Sequence, residues 1–401
     1  MKVLFLTPYL PSPPRYGAQR RLDGLMRGLG KNGHEVSLLS LSDNDPVSLE
    51  ATRAYCHEVV TVAHDVQDMS GRRWLQLRSL AAHKSFEYYL FRRPEFQARL
   101  DEMVASRPYD VVQVEFSQMA AAYRVNSNGA ARARLVLDEH NVEYELNRRT
   151  AETPGRFDRR LYCSVNWRKL WREELDAWRR FDGVALTSAR DERVLRRDLP
   201  GTRTVVIPNA VDLESFRPSE AASDPATLVF LGAMNYVPNV DGIHDFVQNT
   251  LPKIRARHPE VMLKVVGMNP PASVRELGND YIEVTGLVDD PRVYLDRATV
   301  TIVPLRIGGG TRFKIIESMA KGKAIVSTRL GAEGIEVEHE KHLLLADDPE
   351  TFADAVCRIL QSPELARSLG QSARRLAEER YGWGPTVARL ERFYDELLSA
   401  S

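Results

Sequence analysis

The sequence predicts an α/β chain built from two doubly wound parallel-sheet domains. Short β-branched runs alternate with stretches of helical apolar spacing along nearly the whole length, the pattern of repeated strand–helix–strand units. At 401 residues the chain exceeds one ordinary core, and the alternation restarts after a polar run at 219–226.

In chain order, KVLFLT at 2–7 reads as a first buried strand, followed by a loop with Pro8, Pro11, Pro13, Pro14 and Gly17. Leu22, Leu25, Met26 and Leu29 then share one helical face, Gly30 and Gly33 close the helix, and EVSLLSL at 35–41 is the second strand. Gly17-Ala18 places backbone N–H groups at a helix start, a weak anion site. Residues 71–100 carry Arg72, Arg73, Arg78, Lys84, Arg92, Arg93 and Arg99 against Glu87 and Glu95. Trp74, Leu75, Phe86, Tyr88, Tyr89, Leu90 and Phe91 supply the apolar part. Such a basic amphipathic stretch reads first as a helix pair packed on the sheet with a solvated basic face, and alternatively as a surface for an anionic membrane.

Strands resume with DVVQVEF at 110–116 and RLVLDEH at 134–140. His140 stands at the carboxyl end of its strand, where open parallel sheets bind ligands, and is a candidate site residue. Residues 157–181 are helical, with Trp167, Trp171 and Trp178 as packing residues. GVALTSA at 183–189 is a further strand, TVVIPNAVD at 204–212 closes the first domain, and Pro208-Asn209 with the 219–226 run marks the linker. The second domain has strands TLVFLGAMN at 227–235, VMLKVVG at 261–267, IEVTG at 282–286 and VTIVPL at 300–305, with a helix over about 239–257. Val387, Leu390, Phe393, Tyr394, Leu397 and Leu398 line the last helix.

Composition excludes several classes. With 43% hydrophobic and 27% charged residues and a formal net charge of zero, the chain is ordinary globular. Residues 1–200 hold 32 Lys+Arg and 27 Asp+Glu, hence +5, leaving −5 for the rest; this modest split does not suggest a nucleic-acid protein. Cys56, Cys163 and Cys357 are far apart and without metal spacing, which fits a reducing cytoplasm. No run approaches a membrane span, so a cytoplasmic protein, at most peripheral on the inner face of the membrane, is expected. No G-x-G-x-x-G follows the first strand of either half, which disfavours a dinucleotide dehydrogenase.

The most informative stretch is VTIVPLRIGGGTRFKIIESMAKGKAIVSTRLG at 300–331. A strand runs into Gly308-Gly309-Gly310-Thr311, then into a helix whose apolar face is Ile315, Ile316, Met319 and Ala320, with Gly322 ending it. Glycines admit a ligand close to the backbone, and the helix N-terminus offers unpaired N–H groups to an anion. Arg312 and Lys314 add positive charge, while Glu317, an acceptor, suits sugar hydroxyls. The loop reads as built for a sugar diphosphate.

Laid out in order, the Pro-rich loop to Gly17, DEHNVE around His140, VIPNAVD, FLGAMN, VVG, VTGLVDD and the block at 304–327 resemble the retaining GT-B glycosyltransferases of family 4. The resemblance implies two Rossmann-like domains facing a cleft: an acceptor domain at 1–212, a nucleotide-sugar domain at 213–384, and a final helix of about 385–401 packed back on the first. It implies a donor site of Gly17, Gly232, Asn235, Gly267, Gly286, Leu287, Val288, Gly309, Gly310, Thr311 and Glu317, with Glu317 on the ribose and Gly286, Leu287 and Val288 around the base. His140 would contact the transferred sugar, and Arg312 and Lys314 the diphosphate. Two departures stand out. The first glutamate of the family's pair falls on Gly309, and the Gly-Arg turn and lysine after the second domain's first strand are replaced by Gly232-Ala233-Met234-Asn235. Arg312 and Lys314 can supply the missing charge from the other loop. The expected reaction moves a sugar from a UDP- or GDP-sugar to a glycan or lipid-linked glycan hydroxyl, in envelope or exopolysaccharide synthesis, with no metal and no cofactor. A nucleotide-sugar 2-epimerase and a non-catalytic nucleotide-sugar-binding scaffold are the alternatives.

Overall fold

Runs of β-branched and aliphatic residues that are apolar on both faces can only be buried in the middle of a layered α/β domain, and every pairing between the described strands is parallel. The computed structural model describes residues 1–14, 16–43, 45–64, 72–125, 133–152, 157–219 and 223–400. Its contacts divide the chain into two units, Met1–Pro208 with Trp383–Ser401, and Asn209–Gly382.

The first unit contains β1 (Lys2–Thr7), β2 (Glu35–Ser42), β3 (Glu58–Ala63), β4 (Val111–Glu115), β5 (Arg134–Glu139), β6 (Gly183–Leu186) and β7 (Thr204–Val206). Their order is β3-β2-β1-β4-β5-β6-β7, so the order reverses between β1 and β4. Ligands of such sheets bind beyond the carboxyl ends of the strands at that reversal. The helix Gly17–Lys31 buries Leu22, Leu25, Met26 and Leu29 on one side of the sheet. The terminal helix Trp383–Ser399 packs beside it, and the close approach requires glycines. A Cβ at Gly24 would overlap the Trp383 ring, and one at Gly28 the Val387 side chain.

The second unit contains β8 (Thr227–Leu231), β9 (Met262–Val266), β10 (Ile282–Gly286), β11 (Val300–Val303), β12 (Ala324–Ser327) and β13 (Leu344–Leu345). Their order is β10-β9-β8-β11-β12-β13, reversing between β8 and β11. Its core centres on Phe230, Ile302, Ile315, Ile316, Met319 and Ile325.

Several expectations are corrected. Within the segment 204–212 the strand β7 is three residues long, because Pro208 has no N–H for a ladder. The single helix read over 239–257 is broken into Val237–Asp245, a π turn at Phe246–Thr250 and Leu251–Arg257. Pro252 removes one N–H from the ladder, and the turn shifts to wider spacing before it. The basic stretch is three helices, Arg72–Ala81, Phe86–Phe91 and Pro94–Ser106. Phe86 and Leu90 are buried, whereas Trp74 and Leu77 are 61% and 66% exposed. The side chains of Arg72 and Arg73 and the linker residues 220–222 lie outside the described residues. Of the tryptophans, Trp178 is core, Trp167 packs against the core, and Trp171 is partly exposed with its N–H on Asp198. Among the described residues, no helix is long and apolar enough to cross a membrane.

Candidate functional site

Each unit places polar groups at its own strand-order reversal. In the second unit, β8 ends in Gly232 and β9 in Gly267, and the two turns touch. Gly232 N donates to Val266 O at 3.0 Å, Met234 N donates to Met268 O at 2.9 Å, and a Cβ on Gly267 would overlap Gly232 O. Lys314, in the first turn of the helix Phe313–Ala320, sends its amine to this place. A Cβ on Gly232 would lie 2.9 Å from Lys314 Nζ and 2.5 Å from Asn239 Nδ2. Glycine at 232 therefore leaves the room that the amine occupies. Lys314 Nζ donates to Asn239 Oδ1 at 2.8 Å and lies 4.1 Å from the centre of the Phe230 ring, while Asn239 Nδ2 donates to Ala233 O at 2.8 Å. Burial, with the Arg312 charge as a smaller contribution, pushes the Lys314 amine down to about 7, against a partly opposing pull from Glu317.

β11 leads through Pro304 and Leu305 into the glycine loop, with Gly308 and Gly310 at φ of +109° and +79°. Arg306 ties this loop to the helix Val237–Asp245 through Asp241 and Asp245. Arg312 occupies the position before the helix Phe313–Ala320 and folds back so that Nη1 donates to Gly309 O. It thus stiffens the loop as well as charging it. No described side chain caps that helix, and Thr311 Oγ1 is buried without a hydrogen-bond partner among the described residues. Uncapped N–H groups, a hydroxyl without a partner and a buried amine together suit an anion with several oxygens. Glu317 is buried one turn further along the same helix. Gly286 ends the edge strand β10, Leu287 is 75% exposed beside it, and Val288 packs near Leu231 and Leu295; Asn235 is exposed.

The first unit gathers a buried polar cluster. Arg21 on the helix Gly17–Lys31 makes a two-pronged bond to Asp138, Nε to Oδ2 at 2.8 Å and Nη2 to Oδ1 at 2.7 Å, and Nη1 donates to Ile207 O at 2.7 Å. His140, just beyond β5, places Nε2 2.8 Å from Glu115 Oε2 and 3.7 Å from Asp138 Oδ2. Glu115 Oε1 accepts from Gln113 Nε2 at 2.7 Å, and Gln113 Oε1 accepts from Tyr394 of the terminal helix. Burial alone would raise the Asp138 carboxyl, but the Arg21 guanidinium outweighs it and holds the group below its ordinary value. Burial and then the Asp138 charge lift Glu115 well above the carboxylate range. Burial pushes His140 down to about 3. Glu115, Asp138 and His140 are ligand types that suit a divalent cation. The donor set does not fit one, because both Asp138 oxygens already face the Arg21 charge. Gly17 opens its helix half-buried, with no described side chain capping that end.

The structure therefore brings Gly232, Gly267 and Lys314 together with Asn239, which sequence reasoning passed over, and puts Arg312 on the Gly309 carbonyl. Around His140 it gathers Arg21, Gln113, Glu115, Asp138 and Tyr394, which sequence reasoning passed over as well. A signal was available for some of them. Gln113 and Glu115, and Asp138 and His140, are polar residues two apart on one face of otherwise apolar strands, which buried strands do not carry without a use.

The model described as Glycosyltransferase Family 4 matches residues 16–215, and that described as Glycosyl transferases group 1 matches residues 225–362. A sucrose-phosphate synthase from Thermosynechococcus elongatus shares the fold with a TM-score of 0.76 at 19% identity, covering all of both chains. Anabaena Alr3699/HepE, solved in complex with UDP, superposes with a TM-score of 0.68 at 15% identity over both full chains. The chain belongs to the glycosyltransferases of GT-B fold. An uncharacterised 44.6 kDa protein from the cps region of Klebsiella pneumoniae is 22% identical over 95% of this chain and 96% of its own. The phosphatidyl-myo-inositol mannosyltransferase of Mycolicibacterium smegmatis is 28% identical over 50% of this chain and 54% of its own. The gpi3 subunit of the Schizosaccharomyces pombe phosphatidylinositol N-acetylglucosaminyltransferase is 27% identical over 53% of this chain. Matches of the latter kind span about half the relatives' length, 48% for the yeast protein.

Proposed function

We propose that the protein is a retaining glycosyltransferase that moves a sugar from a nucleotide-diphosphate donor to a hydroxyl of a glycan or lipid-linked glycan. The observation that carries this reading is the buried Lys314 amine, bonded to an amide oxygen at a glycine turn. A buried cation whose only direct hydrogen-bond partner among the described residues is neutral gains most from an arriving diphosphate.

Residues 213–384 take the donor. Gly309, Gly310, Thr311 and the following helix N-terminus receive the diphosphate, with Gly232, Asn235 and Gly267 at the neighbouring turns. Glu317 accepts from the ribose hydroxyls, and Gly286, Leu287 and Val288 line the base. Residues 1–212 with the terminal helix take the acceptor, Gly17 approaches the phosphate, and His140 hydrogen-bonds the transferred sugar. As the bond from C1 to the phosphate oxygen breaks, the acceptor oxygen bonds C1 on the same face and its proton passes to the leaving phosphate. Arg312, Lys314 and the helix N-terminus stabilise the charge that develops there. The UDP and UDP-glucose complexes of Alr3699/HepE support a UDP-sugar, with a GDP-sugar as the second candidate. The capsule-region relative and the phosphatidylinositol-directed ones support an envelope glycan or lipid-linked acceptor at the inner face of the membrane. The test is incubation with a panel of UDP- and GDP-sugars, with and without lipid-linked acceptors. Release of nucleotide diphosphate with product of retained anomeric configuration is expected, and inverted product or no transfer from any donor overturns the reading.

A further inference from the structure

The buried cluster of the first unit has more parts than contact with a sugar requires. Glu115 is fully buried, and both forked donors of the nearest guanidinium, Arg21, go to Asp138. Two carboxylates buried beside one cation cannot both keep a charge, and the one without the cation keeps its proton. Its two oxygens are also in different situations. Oε1 accepts from Gln113 Nε2, whose own amide oxygen accepts from Tyr394, while Oε2 meets His140 Nε2 at 2.8 Å. A chain of donors thus runs from Tyr394 through Gln113 to Glu115, and the direction of that chain leaves the acid proton on Oε2, within reach of both Asp138 and the imidazole. Both Asp138 oxygens already accept from Arg21, so the His140 Nε2 lone pair at 2.8 Å is the acceptor left for that proton.

The backbone is bent to make this arrangement. Phe116, directly after Glu115, has φ +67° and ψ 139°, a conformation that an aromatic residue adopts only under constraint. The bend sets two consecutive residues against one ring. Glu115 bonds Nε2, and the Phe116 ring lies on the imidazole with centroids 4.0 Å apart at 39°. Phe116 N is anchored on Asp138 O at 2.9 Å. The ring is fixed in place with Nε2 turned inward, and Nδ1 is the nitrogen left over.

We propose that Glu115 is a positioning residue that donates its proton to His140 Nε2 and so commits His140 to the Nδ1–H tautomer, with Nδ1–H the donor offered to a hydroxyl of the transferred sugar. The second half rests on the glycosyltransferase reading; the first does not. A group bonded behind an imidazole selects which nitrogen carries the proton in front, and the wrong tautomer offers a lone pair where a donor is needed. Gln113 and Tyr394 serve the same end by holding Glu115 Oε1 as an acceptor.

The experiment uses the full chain with 15N-labelled histidine and long-range 1H–15N correlation, the His140 signals being assigned by their loss in His140→Gln. The native protein should show His140 protonated on Nδ1 alone. Glu115→Gln keeps an N–H donor toward Nε2 and should keep both that tautomer and turnover within about threefold. Glu115→Ala should release the ring toward Nε2–H and lower kcat by about 10- to 1000-fold while the KM for nucleotide sugar changes little. Native His140 protonated on Nε2 overturns the proposal, as does a Glu115→Gln variant as slow as Glu115→Ala. Should no nucleotide sugar be turned over, the glycosyltransferase reading fails, and the native and Glu115→Gln spectra still decide the tautomer.

Discussion

Replacing Lys314 by Met should make the free protein more stable and its donor site useless. The amine is lowered from its ordinary 10.5 to about 7 mainly by burial, which costs the charged form about 5 kcal/mol at about 1.36 kcal/mol per tenfold change in proton affinity. The sign follows from proton counts. Below about pH 7 the amine is charged in both folded and unfolded chains, and the full burial cost is borne by the fold. Between about pH 7 and 10.5 the unfolded chain binds more protons, so the cost fades as pH rises, to about 3 kcal/mol at pH 8.5. Met keeps the chain length and apolar contact with Phe230 but leaves Asn239 Oδ1 without its donor, which costs about 1–3 kcal/mol. The net gain should be about 2–4 kcal/mol at pH 6, falling to about 0–2 kcal/mol by pH 8.5. Melting temperatures of wild type and Lys314→Met between pH 6 and 8.5, each with and without UDP or GDP, read both parts. The variant should melt higher at pH 6 and lose the shift that nucleotide gives the wild type. A variant that melts lower at pH 6, or one still stabilised by nucleotide, refutes the argument.

Glu317→Gln removes an acceptor charge while keeping shape; calorimetric titration should show ribonucleoside diphosphates bound about 10- to 100-fold more weakly and their 2′-deoxy counterparts little changed. Glu139 is lifted to about 8 by burial despite the hydrogen bond from Trp178, so the folded chain holds that proton and stability should fall as pH rises from about 4.5 to 8. Glu139→Gln should flatten that slope by a few kcal/mol in denaturant unfolding, and an unchanged slope would remove Glu139 as its source. Trp74 and Leu77 are exposed on the helix Arg72–Ala81 beside Arg78, which also lies 4.3 Å from the Tyr89 ring centre. Changing both to Ser should weaken flotation with anionic vesicles about 10- to 100-fold, and raised salt should weaken the wild type as well. Wild type that fails to float at low salt would mark this as ordinary helix surface.

The alternation of strand and helix, and the glycine loop at 308–310 with its following helix, were legible because each rests on periodicity or backbone freedom within a few residues. Even the helix at 313–320 could be bounded from sequence, since Gly322 with φ +66° ends it locally. Two edges escaped notice: β3, which shows only partial burial, and β13, two residues long. What the sequence could not decide is which polar groups meet. Lys314 and Asn239 are 75 residues apart, Arg21 and Asp138 are 117 apart, and Gln113 and Tyr394 are 281 apart. Charges are read from sequence as solvated or functional by type alone, but the cost of burying one depends on its partner, and the partner is chosen by the order of strands in the sheet. Arg21 became the counter-charge of Asp138 because β1, whose helix carries it, lies one strand from β5 across β4. The same ordering put Glu115, without a cation of its own, beside His140, and that pairing rather than either residue type determines where the proton sits.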